Sequence, residues 1–344
     1  MSARERIIPV FVPHLGCPND CVFCNQKRIS GVQTPADEST VFEAVRRAEE
    51  LGITGPQTQL AFYGGSFTAI PAAEQTALLG AAKECLESGK IGAIRLSTRP
   101  DAIDEGVLKR LREYGVRTIE LGAQSLCDEV LELSGRGHTA EDVEKASGMI
   151  KDAGFSLILQ MMTGLPGDTR ERSLETAERI IAMKPDGVRI YPTVIVKDTA
   201  LYDLSRSGRY KEHTVEDAVE ICAELLPMFE AAGIPVIRLG LNPTDELSSG
   251  AAVGGAYHPA LGELVRSRIL CNRVQKQLED SAEELRGARV TVGVGPGMIS
   301  QMVGQHRCNI ARLKERFSLA ELTVKPCGVK NGETVILSIE KQGY

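Results

Sequence analysis

The sequence predicts an α/β fold, a parallel sheet with right-handed crossovers, followed by a small α+β unit. Three observations carry this expectation. Apolar, β-branched segments alternate with amphipathic helical ones at a repeat of about thirty to forty residues. Glycine-rich and polar residues gather just after the strand segments. Near residue 288 the elements become short and closely spaced. Strand-then-helix order requires parallel pairing, in either an open doubly wound sheet or a barrel.

Strands are predicted at Ile7 to Val12, Gln59 to Phe62, Ala93 to Ser97, Thr118 to Gly122, Ser156 to Met162, Gly187 to Tyr191 and Pro235 to Leu239. Helices are predicted at Ser39 to Leu51, Ala72 to Glu87, Asp104 to Tyr114, Ala140 to Ala153, Arg170 to Met183 and Thr214 to Ala232, several of them closing on glycine. Gly240 to Tyr257 is expected to be a long loop, and Ala260 to about Glu284 a helix. The tail follows a β-α-α-β-β order: strand Arg289 to Val294, helix Met298 to Val303, turn Gly304 to Arg307, helix Asn309 to Phe317, and strands Glu321 to Lys325 and Thr334 to Ile339. The expected domains are 1–240, a substrate-side loop with connecting helix over 241–287, and the tail over 288–344. Chemistry-bearing loops at the C-terminal ends of strands favour a barrel, whose functional face lies there.

With 344 residues, 42% hydrophobic and 25% charged, the composition is that of a globular chain and excludes collagen-like and low-complexity classes. No apolar run reaches the roughly 18 to 20 residues needed to span a bilayer, and the N-terminus lacks a signal-peptide core. A cytoplasmic protein without a membrane partner is therefore expected. Net charge is −6 but uneven: from Leu264 onward 13 Lys and Arg face 8 Asp and Glu, against 27 and 38 before it. Such a basic tail is expected where one part binds a polyanion, unless the charge is merely a solvated face.

Of nine cysteines, three fall within eight residues as Cys17-x3-Cys21-x2-Cys24. Spacing this tight folds as one compact loop and can surround a single metal centre. Three thiolates suffice for three irons of a [4Fe-4S] cluster, leaving the fourth iron open. A structural zinc with His14 or Asn25 as fourth ligand is the alternative.

With Phe23 before the last cysteine, the triplet resembles the signature of the radical S-adenosylmethionine (SAM) enzymes, and the similarity runs motif by motif to about residue 240. The resemblance implies a partial (β/α)6 barrel and a [4Fe-4S] cluster held by Cys17, Cys21 and Cys24. It also implies SAM cleavage to a 5′-deoxyadenosyl radical and an electron donor such as flavodoxin or ferredoxin. Tyr63-Gly64-Gly65-Ser66 resembles the family's turn for the SAM amino group. Ser97 stands where the branch containing the Elongator catalytic subunit and oxygen-independent coproporphyrinogen oxidase has an ammonium-pairing Glu. Gln124 then implies a ribose contact, Arg136 a grip on the SAM carboxylate, and Gln160 the place of a ribose-binding Asp. Each of these could instead be a satisfied surface or core polar group. Arg238, Tyr257 and His258 follow the last strands and are candidates on the substrate side, with packing at the barrel mouth as the alternative for Tyr257 and His258.

The tail resembles a KH-type RNA-binding unit, whose Gly-x-x-Gly loop clamps a nucleotide backbone. Gly304, Gln305, His306 and Arg307 occupy that loop, with Arg307 replacing the second glycine, and Arg312 and Lys314 follow it. The expected function is a radical SAM enzyme modifying RNA, with tRNA as the expected class. A small-molecule or tetrapyrrole enzyme and a non-catalytic RNA-binding protein with a structural metal are the rivals.

Overall fold

The computed structural model describes residues 6–12, 21–25, 35–242, 247–279 and 285–341. It divides into two compact units, Met1–Thr214 with Met228–Tyr257, and Val215–Pro227 with His258–Tyr344.

The first unit is built on seven parallel strands forming a half-barrel: β1 (Arg6–Val12), β2 (Gly55–Gly64), β3 (Ile91–Thr98), β4 (Val116–Gln124), β5 (Ser156–Thr163), β6 (Gly187–Pro192) and β8 (Val236–Leu239). They lie side by side in chain order, as right-handed crossovers through intervening helices require. These helices are α1 (Glu38–Glu50), α2 (Ala72–Glu87), α3 (Glu105–Glu113), α4 (Asp128–Leu133), α5 (Ala140–Asp152), α6 (Arg170–Met183), α7 (Ala200–Arg206) and α8 (Val215–Ala231), the last shared between the units with Pro227 inside it.

Period-two alternation sorts the strand residues into two faces. Leu60, Phe62, Ile94, Leu96, Ile119, Leu121, Leu157, Leu159, Val188 and Ile190 are all buried and share one face. Each contributes roughly 1.5 to 3 kcal/mol by burial. The opposite face carries Arg95, Ser97, Glu120, Gly122, Gln160, Arg189, Tyr191 and Arg238 in register across β3 to β8. The sheet thus segregates its chemistry to one surface.

Gly240 to Tyr257 is not the featureless loop its composition suggests. A π-helical turn at Leu247–Ala251 leads into β9 (Ala252–Gly255), which pairs antiparallel with β7 (Val194–Val196). Gly255 has φ 79°, and a Cβ there would lie 2.6 Å from the Thr193 carbonyl oxygen. Glycine therefore permits the pairing that its propensity argues against. Helices α4 and α7, of 6 and 7 residues, are also unanticipated; they are too short for a periodic signal.

In the second unit α9 (Leu261–Glu279) packs with β10 (Arg289–Val294), α10 (Ile299–Val303), α11 (Cys308–Phe317), β11 (Glu321–Pro326) and β12 (Thr334–Glu340). The expected continuation of α9 toward Glu284 falls on 280–284, outside the described residues. Strand β10 is central, parallel to β11 and antiparallel to β12. Leu270, Val274 and Leu278 of α9 bury against Val290, Val292, Met302, Leu313 and Phe317. The basic stretch from Leu264 shares its unit with five further acidic residues, Glu216, Asp217, Glu220, Glu224 and Glu263. With Val215–Pro227 and His258 onward counted together, the unit holds 13 Lys and Arg against 13 Asp and Glu. Among the described residues no helix is long and apolar enough to cross a membrane.

Candidate functional site

A cavity of about 540 Å³ opens on the polar face of the half-barrel. Its wall includes Cys21, Phe23, Cys24, Tyr63, Gly64, Gly65, Ser66, Ser97, Gln124, Arg136 and Gln160, which the sheet brings together from far apart in sequence.

Cys21 and Cys24 sit on one turn, closed by the Cys24 amide donating to the Cys21 carbonyl at 3.0 Å. The Val22 amide donates to the Ser134 carbonyl, and the Val22 carbonyl accepts from the Leu201 amide at 2.7 Å, so the turn is fastened on both sides. Phe23 anchors it further, packing with Ile195, Leu201 and Tyr210. Cys17 and His14 lie outside the described residues. Among the described residues no three metal-ligating side chains converge.

Arg136 joins this turn to the sheet: Nη1 donates to Cys21 Sγ at 3.3 Å and Nη2 to the Gly122 carbonyl at 2.7 Å. Arg99, itself buried and paired with Asp101, donates Nη2 to the Arg136 carbonyl at 2.8 Å and so fixes its backbone. His138 donates from Nε2 to the Ala123 carbonyl at 3.2 Å while its buried Nδ1 has no hydrogen-bond partner among the described residues. Burial, with the Arg136 charge nearby, lowers its pKa to about 4. The imidazole is therefore neutral at ordinary pH.

Gln124 is the strained residue of the site. Its φ is 65°, a left-handed conformation costly for a non-glycine side chain, and its buried Oε1 has no hydrogen-bond partner among the described residues. Gly64 turns the end of β2 at φ 102°, where a Cβ would stand 3.5 Å from the Val12 backbone. Ser66 reaches the cavity wall, but its hydroxyl is engaged with Thr98 Oγ1 at 2.9 Å and the Arg99 amide at 3.1 Å, fastening β2 to β3. Gln160 Nε2 donates to Glu120 at 3.0 Å and to Ser97 Oγ at 3.4 Å.

Sequence reasoning missed the polar hub at the floor. The fully buried Glu120 accepts from Tyr63 Oη at 2.8 Å, Arg95 Nη1 at 3.1 Å and Arg189 Nη2 at 2.9 Å. Burial and the adjacent carboxylate push the Tyr63 phenol up, keeping it protonated. Burial opposes the Arg189 charge, yet Glu120, Tyr191 and Tyr63 raise its pKa above the ordinary arginine value. The available signal was a charge in mid-strand: Arg95, Glu120 and Arg189 each interrupt an apolar run.

The remaining candidates disperse. Arg238 donates Nε to the Gly240 carbonyl at 2.9 Å. Tyr257 packs with Val194, Val196 and Leu247 rather than lining the cavity. His258 belongs to the second unit, where Nδ1 accepts from the Ala260 amide at 3.1 Å just before α9.

In that second unit a groove of about 640 Å³ has an apolar floor with Ile299, Val303, Ile310 and Leu322, and His306, Arg307 and Lys314 on its wall. Gly304, at φ 77°, and Gln305 start the loop, and His306 and Arg307 follow in left-handed conformations at φ 49° and 61°. Arg312 does not face this groove. It pairs with Glu220 at 2.9 Å and Glu216 at 3.3 Å, carboxylates it shares with Arg268. In this network Glu216 and Glu220 compete with a phosphate for the Arg312 guanidinium.

A parallel half-barrel whose strand ends gather cysteines, a glycine turn and convergent polar groups belongs to the cofactor-dependent (β/α) barrels. The sequence model of the Radical SAM superfamily matches residues 11–180, and that of the Radical_SAM C-terminal domain matches 185–270. The chain belongs to the radical SAM superfamily, whose enzymes use a [4Fe-4S] cluster and SAM. It is 28% identical over 252 residues to Elongator complex protein 3 of Homo sapiens, covering 67% of this chain and 46% of that protein. To a tRNA uridine(34) acetyltransferase of Methanocaldococcus jannaschii it is 36% identical over 132 residues, 38% of this chain and 24% of the relative. The archaeal Methanocaldococcus infernus Elp3 with an N-terminal deletion shares the fold at a TM-score of 0.60 and 24% identity, covering 80% of this chain and 63% of the other. The chain spans about half the length (46%) of the Elongator relative it matches. The residues present fit the family's cofactors: soft thiols on one turn, a buried orphan acceptor at Gln124, and a glycine turn open to close approach.

Proposed function

We propose that this chain is a radical SAM enzyme that modifies RNA, with tRNA as the expected substrate, in the cytoplasm and without a membrane partner. Bound cluster and SAM would supply a 5′-deoxyadenosyl radical, after one electron from a donor such as flavodoxin or ferredoxin. Cys21 and Cys24 are on the cavity wall and would hold the cluster with Cys17. Gly64 and Gly65 would offer carbonyls to the SAM amino group, beside Ser97. Gln124 would accept from the ribose hydroxyls, Gln160 would stand beside them, and Arg136 would pair with the SAM carboxylate while restraining Cys21. Tyr63 and Phe23 complete the wall.

The observation that carries the reading is Gln124, a strained residue whose buried acceptor has no partner among the described residues, on the wall of a cavity of about 540 Å³. Strain persists where surrounding structure enforces it, and it clusters at ligand sites. The RNA substrate rests on relatives named for tRNA uridine(34) chemistry and on the groove of the second unit, where His306, Arg307 and Lys314 would meet phosphate. Tyr257 and His258 are left with packing and helix-start roles, and Arg238 remains the substrate-side candidate. One observation favours a small-molecule substrate instead: the second unit carries no net charge. Comparing modified nucleosides in total RNA from cells with and without the gene decides between them. Loss of one modified nucleoside supports the RNA reading, and unchanged RNA refutes it.

A further inference from the structure

Resting on the radical SAM reading, we propose that the same cavity contains a second, anion-binding subsite. Arg189, Tyr191 and Asn242 of the cavity wall form it together with Arg238, the register partner of Arg189 on the neighbouring strand, and it takes an oxyanion, carboxylate or phosphate, of the molecule being modified or of a small co-substrate.

The charges on the polar face of the sheet do not balance. Arg95, Arg189 and Arg238 project from it with Glu120 as the one carboxylate among the described strand residues there. Glu120 is shared by Arg95 at 3.1 Å and Arg189 at 2.9 Å, leaving it no capacity to neutralise a third guanidinium. Arg189 and Arg238 are register partners on adjacent parallel strands, so their Cα atoms are about 4.8 Å apart and their side chains leave the same face. Among the described residues no carboxylate pairs with Arg238, whose recorded hydrogen bond goes to the Gly240 carbonyl. Burial, together with the like charge of Arg189, lowers the pKa of Arg238. Like charges held side by side, one of them half-buried as Arg238 is, repel each other, and an anion between them relieves that repulsion.

The neighbouring donors suit such an anion. Tyr191 lines the cavity and accepts from Arg189 Nη1 at 3.4 Å; burial pushes its phenol up, so its hydroxyl retains a proton to donate. Asn242 lines the same cavity beyond the end of β8 and can supply amide donors. A guanidinium fork matches a planar or tetrahedral oxyanion through paired hydrogen bonds. In sheet order this group lies on β6 and β8, whereas Gly64, Ser97, Gln124 and Gln160 lie on β2 to β5. One cavity can therefore serve two ligands.

The test is calorimetric binding to the anaerobically reconstituted chain, using malonate, inorganic phosphate, uridine 5′-monophosphate and uridine as probes. The subsite predicts that the anionic probes bind more weakly as salt rises. Arg238→Gln should reduce their affinity about tenfold or more while SAM affinity changes less than twofold, and Arg238→Lys should retain part of it. Uridine 5′-monophosphate binding far more tightly than malonate would identify a nucleotide phosphate as the source, and the reverse a carboxylate co-substrate. Equal probe affinity in parent and Arg238→Gln, or SAM affinity falling in parallel, would overturn the subsite. If Arg238→Gln melts below the parent, Tyr191→Phe serves instead, and unchanged anion binding there has the same consequence. Anion binding without any RNA modification would refute the RNA reading and leave the subsite standing.

Discussion

Arg136 Nη1 donates to Cys21 Sγ at 3.3 Å while its Nη2 holds the Gly122 carbonyl, so one guanidinium joins the cysteine turn to the end of β4. The same residue is the proposed partner of the SAM carboxylate. Arg136→Ala should therefore lower SAM affinity by about tenfold or more, the scale of a lost charge-assisted hydrogen bond. Iron content measured in parallel should stay near the parent's, since three cysteines still provide the ligands. SAM binding equal to the parent's would show that the carboxylate is held elsewhere.

Glu120→Gln tests the floor of the cavity. Removing the carboxylate leaves Arg95 and Arg189 buried together without their counter-charge, and breaking such a pair costs about 3 to 5 kcal/mol. The melting temperature should fall by several degrees or the chain should fail to accumulate. A variant as stable as the parent would mean that the arginines relax toward water.

Most of the architecture was legible because the strands of a parallel sheet are apolar and its helices amphipathic. Ala72–Glu87 and Arg170–Met183 fall where periodicity places them. What was not legible follows from chemistry that periodicity does not encode. Pairing of Ala252–Gly255 depends on a glycine conformation, and the hub at Glu120 depends on Tyr63, Arg95 and Arg189, which other strands supply. Arg312 looked available because its carboxylate partners, Glu216 and Glu220, lie about ninety residues away in sequence. Charge counted along the chain missed them for the same reason.

His138 gives a pH signature. Its folded pKa, about 4, lies below the ordinary value of 6.5, so the unfolded chain binds the extra proton first as pH falls. The stability it contributes is complete above about pH 6.5 and is lost as pH drops toward 4, on the order of 2 to 3 kcal/mol across that window. Denaturant midpoints at pH 7 and pH 5 should differ more in the parent than in His138→Gln. An equal pH dependence would show that the imidazole can be protonated in place.

Arg307→Glu examines the second unit. If the loop and Lys314 meet an RNA backbone, affinity falls with salt by roughly 0.7 log units per log unit of salt for each single-strand phosphate neutralised. The substitution should then reduce RNA binding about tenfold or more with iron content unchanged. RNA binding like the parent's would assign the groove another purpose.

The central claim is tested most directly by anaerobic reconstitution followed by measurement of iron, sulfide and 5′-deoxyadenosine formed from SAM under reduction. The account predicts about four irons per chain, reductant-dependent 5′-deoxyadenosine, and loss of both in Cys17→Ala, Cys21→Ala and Cys24→Ala but not in Cys85→Ala or Cys327→Ala. Stoichiometric zinc with no iron incorporated and no SAM cleavage would contradict it.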